Sequence, residues 1–335
     1  MNSQFKVVST FSGCGGSSLG YTLAGYKVLL AVEFDAHAVE SYKLNFPNTP
    51  IYHGDINDLS VEEVFERTGL VEGELDLFDG SPPCQGFSTA GFSRFSDNRN
   101  QLYHQYVRLL RGLKPKTFVM ENVSGLVKGN MKLIFKDILT DLKQSGYRVS
   151  VRLMNAKYYG VPQARERLIF IGVREDLGIE PSHPKPQTRP IPVSAIIGDL
   201  DNTQRPEIDH VWLDESPKGK GSPKNWYRAV NAKEGEKYRF ASSRNYWDRP
   251  SRTLNATGYH LGRGTCHPKY TRVHSVLEYK RLSSFPDDFK LAGDLKVRKN
   301  LQAAYTRIGN SVPPLLMKAI ATHIKDNILS KTMLR

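Results

Sequence analysis

Cysteine is nearly absent from this chain. Its 335 residues hold three, Cys14, Cys84 and Cys266, far apart and odd in number. No Cys-x-x-Cys pair exists, so neither a disulfide framework nor a zinc ribbon is supported, and a thiol that matters here matters alone. Cys14 reads as a small loop residue. Cys266 stands beside His267 with no third ligand nearby in sequence, so no metal site is expected. Long apolar runs are also missing. No stretch approaches the roughly 18–20 apolar residues that a membrane span requires. The opening segment "MNSQFKVVST" lacks the charged and apolar regions of a secretory signal. A cytoplasmic protein with no membrane partner is therefore expected. Repeats and low-complexity segments are absent too, which excludes solenoids and fibrous arrays. Acidic side chains are in deficit: 34 Asp and Glu against 47 Lys and Arg leave a net charge of +13.

That positive excess is concentrated. Residues 218–272 hold 13 Lys and Arg against Glu234, Glu236 and Asp248, a local charge of +10. Eight aromatic residues are interleaved with them: Trp226, Tyr227, Tyr238, Phe240, Tyr246, Trp247, Tyr259 and Tyr270. Basic groups steer toward a phosphate backbone, and aromatic and amide groups suit base edges, so this region is a candidate nucleic-acid surface.

The first half alternates two kinds of segment. "KVVST" (6–10), "VLLAVEF" (28–34), "LDLFDG" (75–80), "KTFVMEN" (116–122) and "RLIFIGV" (167–173) read as buried strands. Residues 17–26, 36–46, 99–113 and 131–147 read as helices from their apolar spacing. This alternation predicts an α/β fold with a doubly wound, mostly parallel sheet, whose ligands bind at the carboxyl ends of its strands. Six prolines between residues 181 and 206 interrupt the pattern and mark a second, smaller domain. Expected boundaries are 1–182, 183–272 and a return to the first domain over 273–335. Helical spacing resumes at 275–283. In a final helix Leu315, Leu316, Ala319, Ile320 and Ile324 share one face, and Ser311 is the candidate cap.

Three features carry chemistry. The loop "FSGCGG" joins a strand to a helix, and Gly13, Gly15 and Gly16 allow a tight turn and close approach to a ligand. No Gly-Lys-Ser/Thr follows, so it is not a Walker loop. Glu33 ends the second strand about twenty residues on, where a carboxylate can hold ribose hydroxyls. Asp55 ends the next. Acids in series at successive strand ends point to an adenosine-containing cofactor. The second feature is "GSPPCQGFS". Pro82 and Pro83 stiffen the backbone directly before Cys84, as a positioned nucleophile requires and a packing residue does not. The third is a pair of flanking segments, "FVMENV" and "QARERLIFIG". They bring Glu121, Arg165 and Arg167 toward the same sheet edge, with the two arginines on one face of an extended segment.

Taken together, "FSGCGG", "VEFD", "GDI", "GSPPCQGFS", "ENV", "QARERLIFIG", "RLSSFPDDF" and "GNSVPP" resemble, in order, the motifs of bacterial-type DNA (cytosine-5)-methyltransferases. The match spans about 5–175 and 250–325 and leaves the middle lobe unmatched. The resemblance implies an S-adenosylmethionine-dependent methyltransferase fold with a smaller DNA-recognition domain. It implies a cofactor pocket formed by Phe11, Gly13, Gly15, Gly16, Glu33, Phe34, Asp55, Ile56, Pro82, Leu102, Asn310, Ser311 and Val312. It implies Cys84 as nucleophile, Glu121 on the pyrimidine N3, Arg167 with Arg165 at the base carbonyl and backbone, and Gln85 and Ser88 beside the flipped nucleotide. Ser9 departs from the pattern, standing where many members carry an acid, which leaves one cofactor contact unassigned.

The same resemblance implies double-stranded DNA as partner, a cognate restriction endonuclease acting independently, and a monomer. In the middle lobe Arg228, Arg239, Arg244 and Arg249 are candidate readers of DNA, while Arg252 and Thr253 read as scaffold. A thiolate adding at C6 makes C5 nucleophilic, and a carboxyl at N3 supports that addition, so Glu121 is expected to be enclosed. Two other readings stay open: a transfer-RNA cytosine methyltransferase, and a binding-only protein that keeps the fold. The basic middle lobe favours duplex DNA over the first, and the intact Cys84, Glu121 and Arg167 set speaks against the second.

Overall fold

The computed structural model describes residues 4–83, 101–129, 131–200, 223–239, 242–260, 263–270 and 272–332. The chain begins with β1 (Lys6–Thr10), α1 (Gly16–Leu23), β2 (Lys27–Glu33), α2 (Ala36–Asn45), β3 (Ile51–His53), α3 (Val61–Thr68) and β4 (Leu77–Gly80). It continues with α4 (Gln101–Leu113), β5 (Thr117–Val123), α5 (Met131–Gln144), β6 (Tyr147–Asn155), β7 (Gln163–Ala164) and β8 (Glu166–Arg174). Seven strands form one sheet in the order β3-β2-β1-β4-β5-β8-β6. The first five are parallel, and β8 runs antiparallel to both β5 and β6.

Alternating side chains explain why these strands are apolar throughout. Val7, Leu77, Val119, Ile169 and Ile171 enter a core shared with α1 and the last long helix. Their neighbours Val8, Phe78, Phe118, Leu168 and Phe170 enter a second core beneath α3, α4 and α5. Successive residues point to opposite faces and both faces are covered, so no polar alternation is possible. Gly172 sits in β8 for the same packing reason: a Cβ there would lie 1.9 Å from the ring of Phe118.

After residue 174 the regular alternation stops, as expected. There follow α6 (Ser194–Ile197), α7 (Pro223–Asn231), β9 (Lys237–Arg239), β10 (Ser242–Arg244), β11 (Ser251–Arg252) and β12 (Thr265–Cys266). A small second sheet has the order β12-β10-β9, and β11 pairs with β7 of the first half. The chain closes with α8 (Val276–Leu282), α9 (Arg298–Asn310) and α10 (Pro314–Ile324). A full capping box starts α8: the Ser275 side chain accepts from the Glu278 amide, and the Glu278 carboxylate accepts from the Ser275 amide.

Two expectations change. Ser311 does not cap the last helix. It terminates α9, its hydroxyl donating to the Arg307 carbonyl at 2.7 Å, and α10 starts at Pro314, whose fixed φ suits a first helical position. The final strand of the first half, read simply as one more strand, spans 166–174 and is antiparallel. Among the described residues no helix is long and apolar enough to cross a membrane.

Candidate active site

Parallel strands aim their carboxyl ends at one edge of the sheet, and antiparallel β8 begins at that same edge. A cavity of about 610 Å³ opens there. The end of β1 supplies its floor. Phe11 lies in the left-handed region at φ 54°, an unusual conformation for a residue with a side chain, and Gly13 follows at φ 56°. The turn is fastened at both ends: the Ser12 hydroxyl donates to the Ser9 carbonyl at 2.7 Å and accepts from the Val32 amide at 3.2 Å. Gly16 must be glycine for space. A Cβ there would lie 2.6 Å from the Val312 carbonyl oxygen and 2.9 Å from the Ser311 Cβ. This contact seats the start of α1 against the α9–α10 junction, which contributes Asn310, Ser311 and Val312 to the wall.

Glu33 ends β2 inside the cavity wall. Its carboxylate accepts from the Gly13 amide at 2.7 Å and from the Asp35 amide at 2.9 Å, so the glycine turn itself holds the acid in place. Asp35 then caps α2 through the Ala38 amide, and its other oxygen meets Arg307 at 3.0 Å. Sequence reasoning missed Arg307. It lines the cavity, and its Nε is buried with no hydrogen-bond partner among the described residues. Its position one turn before Asn310 on the same helix was the available signal. Asn122, Val123 and Met131 also line the cavity without having been anticipated.

The opposite wall carries the ionic group. Glu121 and Arg167 sit near the facing ends of β5 and β8, where the antiparallel register pairs Val123 with Arg167. Arg167 Nε lies 2.6 Å from Glu121 Oε1, and both side chains are largely enclosed. Glu121 is buried, as its expected role requires. Arg165 lines the cavity, is 3% exposed and donates from Nη1 to the Leu254 carbonyl at 3.0 Å, while its Nε is buried with no partner among the described residues. Burial, and then the neighbouring Arg167 charge, pull its pKa down to about 9, so it stays a cation at neutral pH. Ser81, Pro82 and Pro83 complete this side. Cys84, Gln85 and Ser88 lie outside the described residues; Pro83, which precedes Cys84 in the sequence, lines the cavity.

The structure thus brings together Phe11, Gly13, Gly16, Glu33, Pro82, Glu121, Arg165, Arg167, Asn310, Ser311 and Val312. Other expected cofactor residues stand elsewhere. Gly15, at φ 103°, packs on Phe46, which a Cβ would strike at 2.3 Å. Phe34 is 73% exposed and is not in the wall. Asp55 is exposed and accepts from its own neighbour Asn57 at 2.9 and 2.7 Å, a local turn. Ile56 and Leu102 belong to the core beneath α3 and α4. Ser9 is fully buried behind the cavity, so its departure from the family pattern removes no wall contact.

Of the middle-lobe arginines, Arg244 needs correction as a DNA reader. It is buried, and its guanidinium donates to the carbonyls of Ala229 (2.6 Å), Ala232 (2.8 Å), His267 (3.1 Å) and Pro268 (3.1 Å), with Tyr270 at 3.4 Å. With its donors turned inward, it ties α7 and β10 to the 266–270 turn. Arg228 and Arg249 are exposed, Arg249 lying over the Tyr246 ring at 5.4 Å. The side chain of Arg239 lies outside the described residues. Arg252 and Thr253 are scaffold as expected: the Thr253 hydroxyl donates to the Ala164 carbonyl at 3.0 Å, and Arg252 to the Gly235 carbonyl and the Tyr246 hydroxyl.

His267 does find companions in space. His267, His274 and Glu278 place possible ligand atoms within 4.8 Å of one another. The Glu278 oxygens are engaged. Arg272 forks onto both oxygens of Glu278 at 2.9 and 2.8 Å, putting a cation where a metal would sit. His267 Nδ1 accepts from the Lys269 and Tyr270 amides. The cluster is a buried ion-pair hub at the start of α8.

The family model for C-5 cytosine-specific DNA methylase matches residues 5–326. The type II methyltransferase M.NgoPII of Neisseria gonorrhoeae is 34% identical over 352 aligned residues, 96% of each chain. M.XorII of Xanthomonas oryzae is 32% identical over 97% of this chain and 85% of its own. A solved prophage-encoded DNA modification methyltransferase from E. coli superposes with a TM-score of 0.77 at 26% identity, covering 97% of this chain and all of that one. A DNMT2 structure from Spodoptera frugiperda, at 18% identity and a TM-score of 0.69 over 98% of this chain, shares the fold. A family match across nearly the whole chain establishes that this protein belongs to the C-5 cytosine-specific DNA methylases.

Proposed function

We propose that this enzyme methylates C5 of a cytosine flipped out of a specific duplex DNA sequence, using S-adenosylmethionine and a covalent Cys84–C6 adduct. The observation that carries the proposal is the Glu121–Arg167 pair at 2.6 Å, set in one cavity wall with Pro83, the residue before Cys84, and facing the glycine turn and Glu33.

The cavity suits the cofactor. Its volume of about 610 Å³ falls in the usual range for such ligands. Glu33, held by the Gly13 and Asp35 amides, offers free lone pairs to ribose hydroxyls, and Asn310, Ser311 and the Arg307 side chain line the same cavity and offer further polar contacts. When bound, S-adenosylmethionine supplies an electrophilic methyl group. The chain's own part is to make a poor nucleophile attack. The Cys84 thiolate adds to C6, and the electrons of the C5–C6 double bond move onto C5 and the ring. Glu121 donates a hydrogen bond or proton at N3, and Arg167 with Arg165 faces the base carbonyl, so the charge that addition develops is stabilised in an enclosed site. Once C5 carries the methyl, loss of its proton and breaking of the C6–S bond restore the double bond and release the thiolate. Cytosine inside a stacked duplex cannot present C6, so the base is extruded at a cost of about a few kcal/mol.

We assign the 183–272 lobe to recognition of the flanking sequence, with exposed Arg228 and Arg249 on its DNA-facing side, and we place the enzyme as the modifying half of a type II restriction–modification pair. The test is transfer of labelled methyl groups to mixed-sequence DNA and to transfer RNA, followed by bisulfite sequencing of plasmid from an expressing host. Expected is a single methylated DNA motif. Methylation of transfer RNA alone would overturn the substrate, and no transfer to either would overturn the activity.

A further inference from the structure

Behind the cavity lies a carboxyl that this chemistry does not use. Asp79 is 1% exposed, next to last in β4, and in register with Ser9 of β1. The Ser9 hydroxyl donates to Asp79 Oδ2 at 2.7 Å, and the Tyr21 hydroxyl of α1 donates to Oδ1 at 2.9 Å. The Thr10 hydroxyl donates to the Asp79 carbonyl at 3.0 Å. The Ser9 carbonyl in turn accepts from Ser12, which also holds the Val32 amide of β2. Hydrogen bonds thus run from β4 through β1 into the glycine turn. Just beyond this clamp both strands lead into the cavity wall, at Phe11–Gly13 and at Ser81–Pro83. The ionisable groups facing Asp79 are Tyr21, Tyr42 of α2, Tyr106 of α4 and Glu121 of β5, and no cation among the described residues is one of them. An uncompensated carboxyl in so dry a place is costly, and a strand-end packing position does not require one.

We propose that Asp79 is a positioning residue, clamping β1 to β4 and α1 so that the glycine turn and the Ser81–Pro83 segment face each other at a fixed spacing. The inference rests on the functional reading above. Since Ser9 and Asp79 are neighbours in register, the carboxyl can be supplied from either strand. Burial raises the Asp79 carboxyl to about 7, with the Ser9 and Tyr21 bonds opposing the rise. Ionised, it accepts from both hydroxyls, so the alignment of the clamp sharpens as pH rises through about 7 even though the fold as a whole favours the protonated carboxyl.

The test compares wild type, Asp79→Ser, Asp79→Asn and the exchange variant Ser9→Asp/Asp79→Ser. Cofactor affinity is measured by calorimetry and kcat and KM by methyl transfer, across pH 5.5–8.5 and below every variant's melting temperature. Asp79→Ser should lose about 10- to 100-fold in kcat/KM through misplacement of the two loops, with weaker cofactor binding, and the exchange variant should recover most of both. Asp79→Asn should fold and lack the activity rise that wild type shows near pH 7. A folded Asp79→Ser with wild-type constants overturns the proposal. So does an exchange variant no better than Asp79→Ser combined with an Asp79→Asn pH profile like wild type. Should Asp79→Ser not fold, the exchange variant and Asp79→Asn decide alone: an inactive exchange variant, or an unchanged pH profile, overturns the proposal. Cofactor affinity is read without methyl transfer, so loss and recovery of binding would uphold the clamp even if the assigned substrate were wrong.

Discussion

Replacing Arg244 by alanine separates a structural arginine from a DNA-reading one. The side chain makes five contacts with backbone carbonyls between 2.6 and 3.4 Å. The Tyr270 carbonyl also accepts from the Arg272 amide at 2.9 Å, so it keeps a partner after truncation. Ala229, Ala232, His267 and Pro268 are buried, and their carbonyls would be left with weakened or no satisfaction. An orphaned buried acceptor costs roughly 1–3 kcal/mol, so four of them, partly relaxed, give a loss of about 4–6 kcal/mol. Urea unfolding followed by tryptophan fluorescence is a suitable assay, because Trp247 lies 6.2 Å from the His267 ring and carries Lys269 over its own ring at 3.7 Å. Arg244→Lys should fall between, since one ammonium cannot reach acceptors spread around the whole edge of the guanidinium. The methylated sequence should not change in either variant. A stability loss below about 1 kcal/mol together with altered sequence preference would refute the structural assignment.

Three further outcomes follow from the same geometry. Gly16→Ala forces a Cβ against the Val312 carbonyl and should raise the KM for cofactor about tenfold with smaller change in kcat, read from initial rates at saturating DNA. Asp79 ties stability to pH: its folded pKa, raised to about 7 from 3.8, makes the protonated form the one that folding favours. Its contribution is therefore greatest below about pH 4 and is lost as pH rises toward 7, so Asp79→Asn should gain on wild type over that window in urea midpoints. Arg228 is exposed on α7 and its guanidinium has no partner among the described residues, so Arg228→Ala should weaken DNA binding and reduce the slope of log K against log salt by about 1.

The parallel half of the sheet was legible because strands covered on both faces are apolar throughout. Edge strand β6 was not, since its side chains are mostly half-buried or exposed and read as neither period. Helix α9 was missed because its surface is rich in Lys, Arg, Asn and Gln, with only a thin buried stripe at Leu301, Ala304, Tyr305 and Ile308. The glycine turn, Glu33 and Glu121 could be placed because each ends a strand, and strand ends converge by topology. Arg307 was not placed, because its position in the wall depends on α9, itself unread, docking against the glycine turn. Arg244 shows the limit of composition: a count of basic residues does not distinguish a guanidinium turned toward five carbonyls from one turned toward solvent. Asp55 illustrates the same limit, being an acid near a strand end whose carboxylate accepts from Asn57 in its own turn and stands outside the cavity wall.

The covalent mechanism depends on the thiol of Cys84. Duplex carrying 5-fluorocytosine at the methylated position has no C5 proton to lose, so the chain should remain bound at C6 after methyl transfer. In the presence of S-adenosylmethionine, wild type should form a complex that survives denaturing electrophoresis, with mass spectrometry placing the nucleotide and its new methyl on Cys84. Cys84→Ser should form none. A Cys84→Ala variant that still methylates DNA, or an adduct on another residue, would contradict the mechanism.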